Sequence, residues 1–211
     1  LSPTTVEDNP HTLRDTQRFE HPRLQWGTRK LELWKREPRA RLTVRFNRLS
    51  SFDPELLCIV TPLPCDGSLP RLSSGGLPFT PFTDQLPGTC RDYFAIDGWA
   101  HYALPEGSWL WITRDAPLIT LDGPHPKARL AEPPPRTARL LAIVYDNFWY
   151  TNFQGDSPGV MEFQFDLVWR PRLENDAAAD SLANALITDP VLVINPPLPE
   201  HPAVLQRLFQ P

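Results

Sequence analysis

The chain has 211 residues, of which 41% are hydrophobic and 22% are charged, and its net charge at neutral pH is −4. This length suits one large β domain or two small ones, and the composition is that of an ordinary globular protein. Nucleic-acid-binding proteins usually carry an excess of basic residues, so the charge gives no support for a nucleic-acid partner.

Proline is unusually frequent, with 26 residues beside seven Trp and eleven Phe. Proline removes a backbone donor and fixes φ, so helices and central strands avoid it. A disordered chain would be poor in aromatic residues. The composition therefore predicts short strands that are joined by rigid loops.

The N-terminal segment 1–27 is polar, contains three prolines and has no sustained period. We interpret it as an extended lead-in or linker, followed by a single β-sandwich domain over 28–211. The first residues lack the apolar core of a signal peptide, and no run reaches 18 apolar residues. These features predict a cytoplasmic protein with no membrane partner.

Strands are predicted from residue 28 onward. Segment 28–35 places two leucines on one face, and 40–49 alternates, with Leu42, Val44 and Phe46 on one face. Segment 55–60 (ELLCIV) is continuously apolar, as expected of a strand that is covered on both faces. A Pro/Gly-rich excursion over 62–92 exceeds the usual length of a structureless loop, and such loops are often functional.

The second half of the chain predicts further strands, loops and one helix. Asp97-Gly98 marks a bulge or turn inside the first of these strands. Asp176 is a candidate cap for the helix over 176–187, which Asp189-Pro190 terminates. The strands are 93–103, 108–113, 117–121, 139–146, 160–169 and a short VLVI at 191–194, and the long loops are 123–137 and 147–159.

This balance of elements predicts a mainly all-β fold, a large antiparallel β-sandwich with one or two short helices near the C-terminus. The second of these helices would be one or two turns within 201–210.

Catalytic and metal-binding patterns are weak in this sequence. None of the five histidines has a partner at a metal-ligand spacing, and no GxSxG, P-loop or GxGxxG motif is present. Asp84, Asp92, Asp97 and Asp146 lie at predicted strand–loop junctions, where capping and turn roles are the commonest use of aspartate. We therefore assign no catalytic residue and no metal ligand to this chain.

The loop at 147–159 has the composition of a carbohydrate contact. Trp149 and Tyr150 could stack on the apolar face of a sugar, while Asn147, Asn152 and Gln154 could bond its hydroxyls. The alternative is that these aromatic side chains close the end of the sandwich.

Three segments, taken in order, resemble one known family. They are DQLPGTCRDYF (84–94), DAPL (115–118) and NFWYTNF (147–153), the last followed by the strand EFQF. Together they resemble the C-terminal region of glycoside hydrolase family 38, the α-mannosidase-like proteins, over roughly residues 40–170. No single segment is specific, but three in the right order are more so.

The resemblance implies a super-sandwich of the kind also found in galactose mutarotase-like domains. It also implies a missing N-terminal barrel that holds zinc and an aspartate nucleophile, with which this chain would pack. Nothing here matches that zinc site or nucleophile. The chain would then brace the barrel and line its carbohydrate cleft with two loops, for which the candidate contacts are Asp84, Gln85, Asp92, Asn147, Trp149 and Asn152.

Two readings of other classes remain open at this stage. One is a free-standing carbohydrate-binding module with Trp149 and Tyr150 as its stacking platform. The other is a structural or interaction domain with no ligand.

Overall fold

Two antiparallel sheets and one helix make up the regular structure in the part of the chain that the structure describes. The computed structural model describes residues 4–64, 67–124, 130, 132–135, 137, 139–148 and 155–188. The elements are β1 (Thr4–Asp8), β2 (Thr12–Phe19), β3 (Leu24–Trp34), β4 (Arg39–Arg48), β5 (Leu56–Pro62), β6 (Arg71–Leu72), β7 (Phe94–Ala95), β8 (Trp99–Leu104), β9 (Gly107–Thr113), β10 (Leu118–Leu121), β11 (Arg139–Asp146), β12 (Gly159–Arg170) and α1 (Asp176–Ile187).

The two sheets differ in width. Within the described ranges, the large sheet has eight strands in the order β1-β2-β3-β4-β12-β9-β8-β6, and the small sheet has four in the order β5-β11-β10-β7. Every pairing between neighbouring strands is antiparallel. The predicted all-β, antiparallel sandwich is therefore confirmed.

The main core lies between the sheets. Trp111 of β9 stacks on Phe165 of β12 with ring centroids 5.3 Å apart, and both pack in one cluster with Ile119 and Leu140 of the small sheet. Alternate residues of β4 and β12 face this cluster, as the period of two predicts. We call the side of the large sheet that faces the small sheet its inner face.

Helix α1 covers part of the outer face of the large sheet. Its Ala179 and Ala183 are buried against Trp99, Leu110 and Ile112, so strand β9 is buried on both faces. The helix has the predicted bounds, but its cap is Asn175, whose side chain accepts a hydrogen bond from the N–H of Ala178. No helix in the described part of the chain is long and apolar enough to cross a membrane.

The segment predicted as one strand over 93–103 is two strands in different sheets. Strand β7 pairs with β10 in the small sheet, and β8 pairs with β9 in the large sheet. The chain crosses between them at Asp97 and Gly98, and Gly98 has a φ of 140°. The predicted irregularity is therefore the point at which the chain changes sheets.

Two further elements differ from what the sequence suggests. Residues 4–27, interpreted as an extended lead-in, form β1, β2 and the start of β3 in the large sheet. Segment 55–60, predicted as a covered strand, corresponds to β5 at the edge of the small sheet. The segments predicted at 191–194 and 201–210 lie outside the described residues.

Candidate functional site

A buried ionic cluster fixes the base of the loop that follows β11. Arg48, at the end of β4, is 1% exposed. Its guanidinium donates to Asp156 at 2.5 Å and to Glu55 at 2.9 Å, and it lies 3.8 Å from the ring centroid of Tyr145. A buried charge is tolerated only when it is paired and hydrogen-bonded, and the Arg48 guanidinium meets both conditions.

Asp156 is held in its ionised form by this arrangement. The Ser50 hydroxyl donates to one of its carboxylate oxygens at 2.5 Å, while Arg48 and the N–H of Ser51 donate to the other. These bonds keep the pKa of Asp156 below its ordinary value. The ion pair at the loop base therefore persists under mildly acidic conditions.

Asn147, a predicted sugar contact, lies beside this ionic cluster. Its side chain joins the segment 51–55 to the loop that follows β11. Its Oδ1 accepts from the N–H of Glu55 at 2.6 Å, and its Nδ2 donates to the carbonyls of Ser51 (3.3 Å), Asp53 (3.0 Å) and Gly155 (3.2 Å). The residue is 8% exposed. The amide of Asn147 is thus buried, and its hydrogen bonds go to backbone groups of the segment 51–55 and of Gly155.

Trp149 and Asn152, the other two predicted contacts in this loop, lie outside the described residues. Both ends of the loop are nevertheless described. Asn147 anchors the first end and Asp156 the second, and both lie against the turn at Ser51.

The second predicted loop, at 79–94, is held by its own side chains. Gln85 accepts from the N–H of Phe82 at 3.0 Å and donates to the carbonyl of Cys90 at 2.9 Å. Phe82 has a φ of 68°, an uncommon value for a residue with a Cβ. The bond from Gln85 therefore stabilises a strained turn.

Asp84 and Asp92 are located in different parts of this second loop. Asp84 accepts from the N–H of Thr80 at 2.7 Å and lies 3.7 Å from Arg71, with 43% of its side chain exposed. Asp92 accepts from the N–H of Leu130 at 3.2 Å. Asp84 thus takes part in a turn, a common use of aspartate in loops, whereas Asp92 joins the second loop to a distant residue, Leu130.

Tyr93, near the end of the second loop, has a perturbed phenol. Burial raises the pKa of the Tyr93 phenol, and the negative charges of Asp146 and Asp92 raise it further. Asp146 is the last residue of β11, directly before the first loop, so its charge acts on Tyr93 from the strand that leads into that loop. Asp84 lies in a different cluster, beside Arg71.

That cluster attaches the second loop to helix α1. Arg71 donates twice to Asp176, at 2.9 and 2.7 Å, and once to the carbonyl of Pro78 at 2.9 Å. His101 pairs with Arg71 across β6 and β8 and is 8% exposed. Its Nε2 is buried and has no hydrogen-bond partner among the described residues.

Side-chain contacts hold the bases of both loops. Among the described residues, no group of three or more His, Cys, Asp and Glu side chains gathers as a metal site would require. The carboxylates at the loop bases are paired with arginines or hydrogen-bonded to backbone N–H groups. The chemistry that these residues supply is the positioning of loops.

The buried role of Arg48 was not predicted, although the sequence contains a signal for it. Leu42, Val44 and Phe46 alternate along β4, and Arg48 continues their spacing by one step. A charge at an apolar position of a strand indicates a buried, paired group.

No protein-family model matches the chain, and no curated protein matches it.

Proposed function

We propose that this chain is the non-catalytic C-terminal β-sandwich of a family 38-like, α-mannosidase-like glycoside hydrolase. It braces the catalytic barrel of the same polypeptide and contributes two loops to the wall of its carbohydrate cleft. Under this proposal the zinc ion and the nucleophile belong to the barrel, and the enzyme works in the cytoplasm.

The observation that best supports this function is that hydrogen bonds fix both loops, through Asn147 in one and Asp84 and Gln85 in the other. Both loops carry segments of the family resemblance. Binding residues are often located on loops that a rigid scaffold positions. The Arg48 and Asn147 contacts supply such a scaffold at the base of the first loop.

The experiment is to express the longest polypeptide that the gene encodes and to assay it with an aryl α-mannoside. We expect hydrolysis by the long polypeptide and none by the 211-residue chain alone. Trp149→Ala in the long polypeptide should lower kcat/KM about tenfold, the loss of roughly 1.4 kcal/mol of transition-state stabilisation.

Trp26→Ala serves as the control, because Trp26 is 38% exposed on the outer face of the large sheet. It should leave kcat/KM unchanged. The proposal fails if the long polypeptide cleaves no glycoside. The cleft-lining part fails if Trp149→Ala leaves the kinetics unchanged while the protein folds normally. Binding of free sugars by the 211-residue chain alone would favour a carbohydrate-binding module instead.

A further inference from the structure

Helix α1 is attached to the outer face of the large sheet by polar contacts along its whole length. From the first turn to the last, these contacts are Arg71 to the carboxylate of Asp176 (2.7 Å), the Trp99 indole to Asp180 (2.6 Å) and Arg114 to the carbonyl of Leu186 (2.8 Å). The buried residues of the helix are two alanines, Ala179 and Ala183. A helix of 12 residues is marginal in isolation, so α1 depends on these contacts to stay folded.

His101 lies beneath the first turn of the helix. Trp99 and His101 are two residues apart on β8, so their side chains share the outer face. Two residues of a strand span about 7 Å, and the four residues from Asp180 back to Asp176 span about 6 Å of helix. Because Asp180 is bonded to Trp99, Asp176 is placed over His101. The pairing of His101 with Arg71, which binds Asp176, gives the same position.

The surroundings of the His101 imidazole suit its neutral form. The residue is 8% exposed, and its Nε2 is buried with no hydrogen-bond partner among the described residues. In that part of the chain, the charges that act on it are Asp176 of α1 and Arg71 of β6, while the residue opposite it on β9 is Leu110. Arg71 already donates twice to Asp176. A proton on His101 therefore places a second cation beside one shared carboxylate.

We propose that His101, Arg71 and Asp176 form an acid-sensitive latch, which releases α1 from the outer face of the large sheet when His101 takes up a proton. While the helix is attached, burial lowers the pKa of His101, an effect that Asp176 opposes and Arg71 reinforces. Release of the helix opens the imidazole to water and separates it from these neighbours. The released form then binds the proton more readily, so a falling pH favours it.

The latch controls two further parts of the structure. Four side chains of the large sheet pack beneath the helix, namely Trp99, Leu110, Ile112 and Val168. Arg71 also donates to the carbonyl of Pro78 at 2.9 Å and lies 3.7 Å from Asp84. Opening of the latch thus uncovers an apolar patch and loosens the start of the second loop.

The latch differs from acid unfolding of the whole domain. Elements with few buried apolar contacts open separately from the core, at a lower free energy. Strand β11 places Leu140 and Ala142 in the core between the sheets, so its amides report global unfolding. If His101 met water only when the whole domain unfolds, α1 and β11 would open together.

Hydrogen exchange of the 211-residue chain at pH 7 and pH 5 tests the latch, with protection factors corrected for the intrinsic effect of pH on exchange. Amides of 180–187 should be at least about tenfold less protected than those of β11 at both pH values. Their protection should fall by roughly 3- to 25-fold from pH 7 to pH 5. The upper figure, about 25-fold, is the effect of one proton if His101 has the ordinary histidine pKa of about 6.5 in the released form.

Variants identify the group that titrates. His101→Gln removes it, so the protection of α1 should hardly change between the two pH values, and His101→Asn is a second such variant if the first does not fold. His11→Gln is the matched control, because His11 is exposed, and it should keep the wild-type dependence. Asp176→Asn weakens the attachment and should lower the protection of α1 at both pH values.

Two results would overturn the latch. One is equal protection of α1 and β11 at both pH values, which wild-type protein alone can show. The other is a loss of protection between pH 7 and pH 5 that stays the same when His101 is replaced.

Discussion

Arg48 lies over the ring of Tyr145, with its guanidinium carbon 3.8 Å from the ring centroid. The same guanidinium pairs with Glu55 and Asp156, whose side chains are each 9% exposed. One fully buried cation thus neutralises two nearly buried carboxylates from two different loops. The Arg48 side chain therefore holds together the segment that contains Glu55 and the end of the loop that contains Asp156.

Replacing Arg48 should therefore be severely destabilising. Arg48→Met leaves the buried carboxylate of Asp156 without its arginine and removes one of the two arginines that pair with Glu55, the other being Arg23. Breaking a buried pair in this way costs about 3–5 kcal/mol. The free energy of unfolding, measured by urea denaturation, should fall by that amount. Arg45→Met is the control on the same strand, because the pair of Arg45 and Glu162 is about half exposed and should contribute at most about 1 kcal/mol. Similar losses in both variants would contradict the account of Arg48.

Removing the amide of Asn147 should loosen the loop that it anchors. Asn147→Ala leaves one N–H and three carbonyls without their side-chain partner, so we expect a loss of about 1–3 kcal/mol in the free energy of unfolding. Limited proteolysis should cut between 148 and 155 faster than in the wild type. Asn47→Ala removes an exposed bond to Gln25 and should change stability by less than about 0.5 kcal/mol. Unchanged cleavage in the Asn147 variant would argue against the anchor.

His101 should make the fold sensitive to acid. Burial lowers the pKa of His101, and the positive charge of Arg71 lowers it further, while Asp176 acts in the opposite direction. The unfolded chain therefore takes up the proton first as the pH falls. The contribution of His101 to stability is complete above about pH 6.5 and decreases as the pH falls below that value.

Urea midpoints at pH 8, 6 and 5 measure this effect. His101→Gln should flatten the decrease between pH 8 and pH 5, whereas His11→Gln, which replaces an exposed histidine, should leave it unchanged. If both variants keep the slope of the wild type, His101 is not its source.

Gly98 should resist substitution because the chain changes sheets there. Its φ is 140°, and a Cβ at this position would lie 2.8 Å from Cδ1 of Ile187 in helix α1. Gly98→Ala should lower the free energy of unfolding by about 1–3 kcal/mol, through backbone strain and displacement of the helix end, and the melting temperature should fall with it. Gly123→Ala is the matched control, since nothing lies within 4 Å of its Cβ position. Equal melting temperatures for the two variants would refute the strain at the crossing.

The sequence could predict those elements in which apolar residues recur at the spacing of one buried face. Strands β4 and β12 alternate because the core takes every second residue. The bounds of α1 followed from Asp176 and from Asp189-Pro190, although the residue that caps the helix is Asn175. Strands β1 and β2 were missed because none of their described residues belongs to the core between the sheets, so neither strand needs an alternating apolar pattern. The edge position of β5 was missed because periodicity reports which face is buried and does not report which strand lies alongside.

The candidate site was less predictable, for a chemical reason. An asparagine amide bonds a sugar hydroxyl and a backbone carbonyl equally well, so residue type does not reveal which partner Asn147 has. The same holds for Asp84 and Asp92, whose carboxylates accept backbone N–H groups in the structure. Only the spacing of Arg48 along β4 carried a usable signal.

The pairing of β4 with β12 has a consequence for folding while the chain is being synthesised. The first four strands form a local meander, but the partner of β4 begins at Gly159, roughly 110 residues after Arg48. At ribosomal speeds of about 5–20 residues per second, β4 is exposed for roughly 5 to 20 seconds before β12 emerges. Arg39, Arg41 and Arg45 project from β4 and repel non-native strands during this interval. Once β12 arrives, Asp166 binds the first two of these arginines.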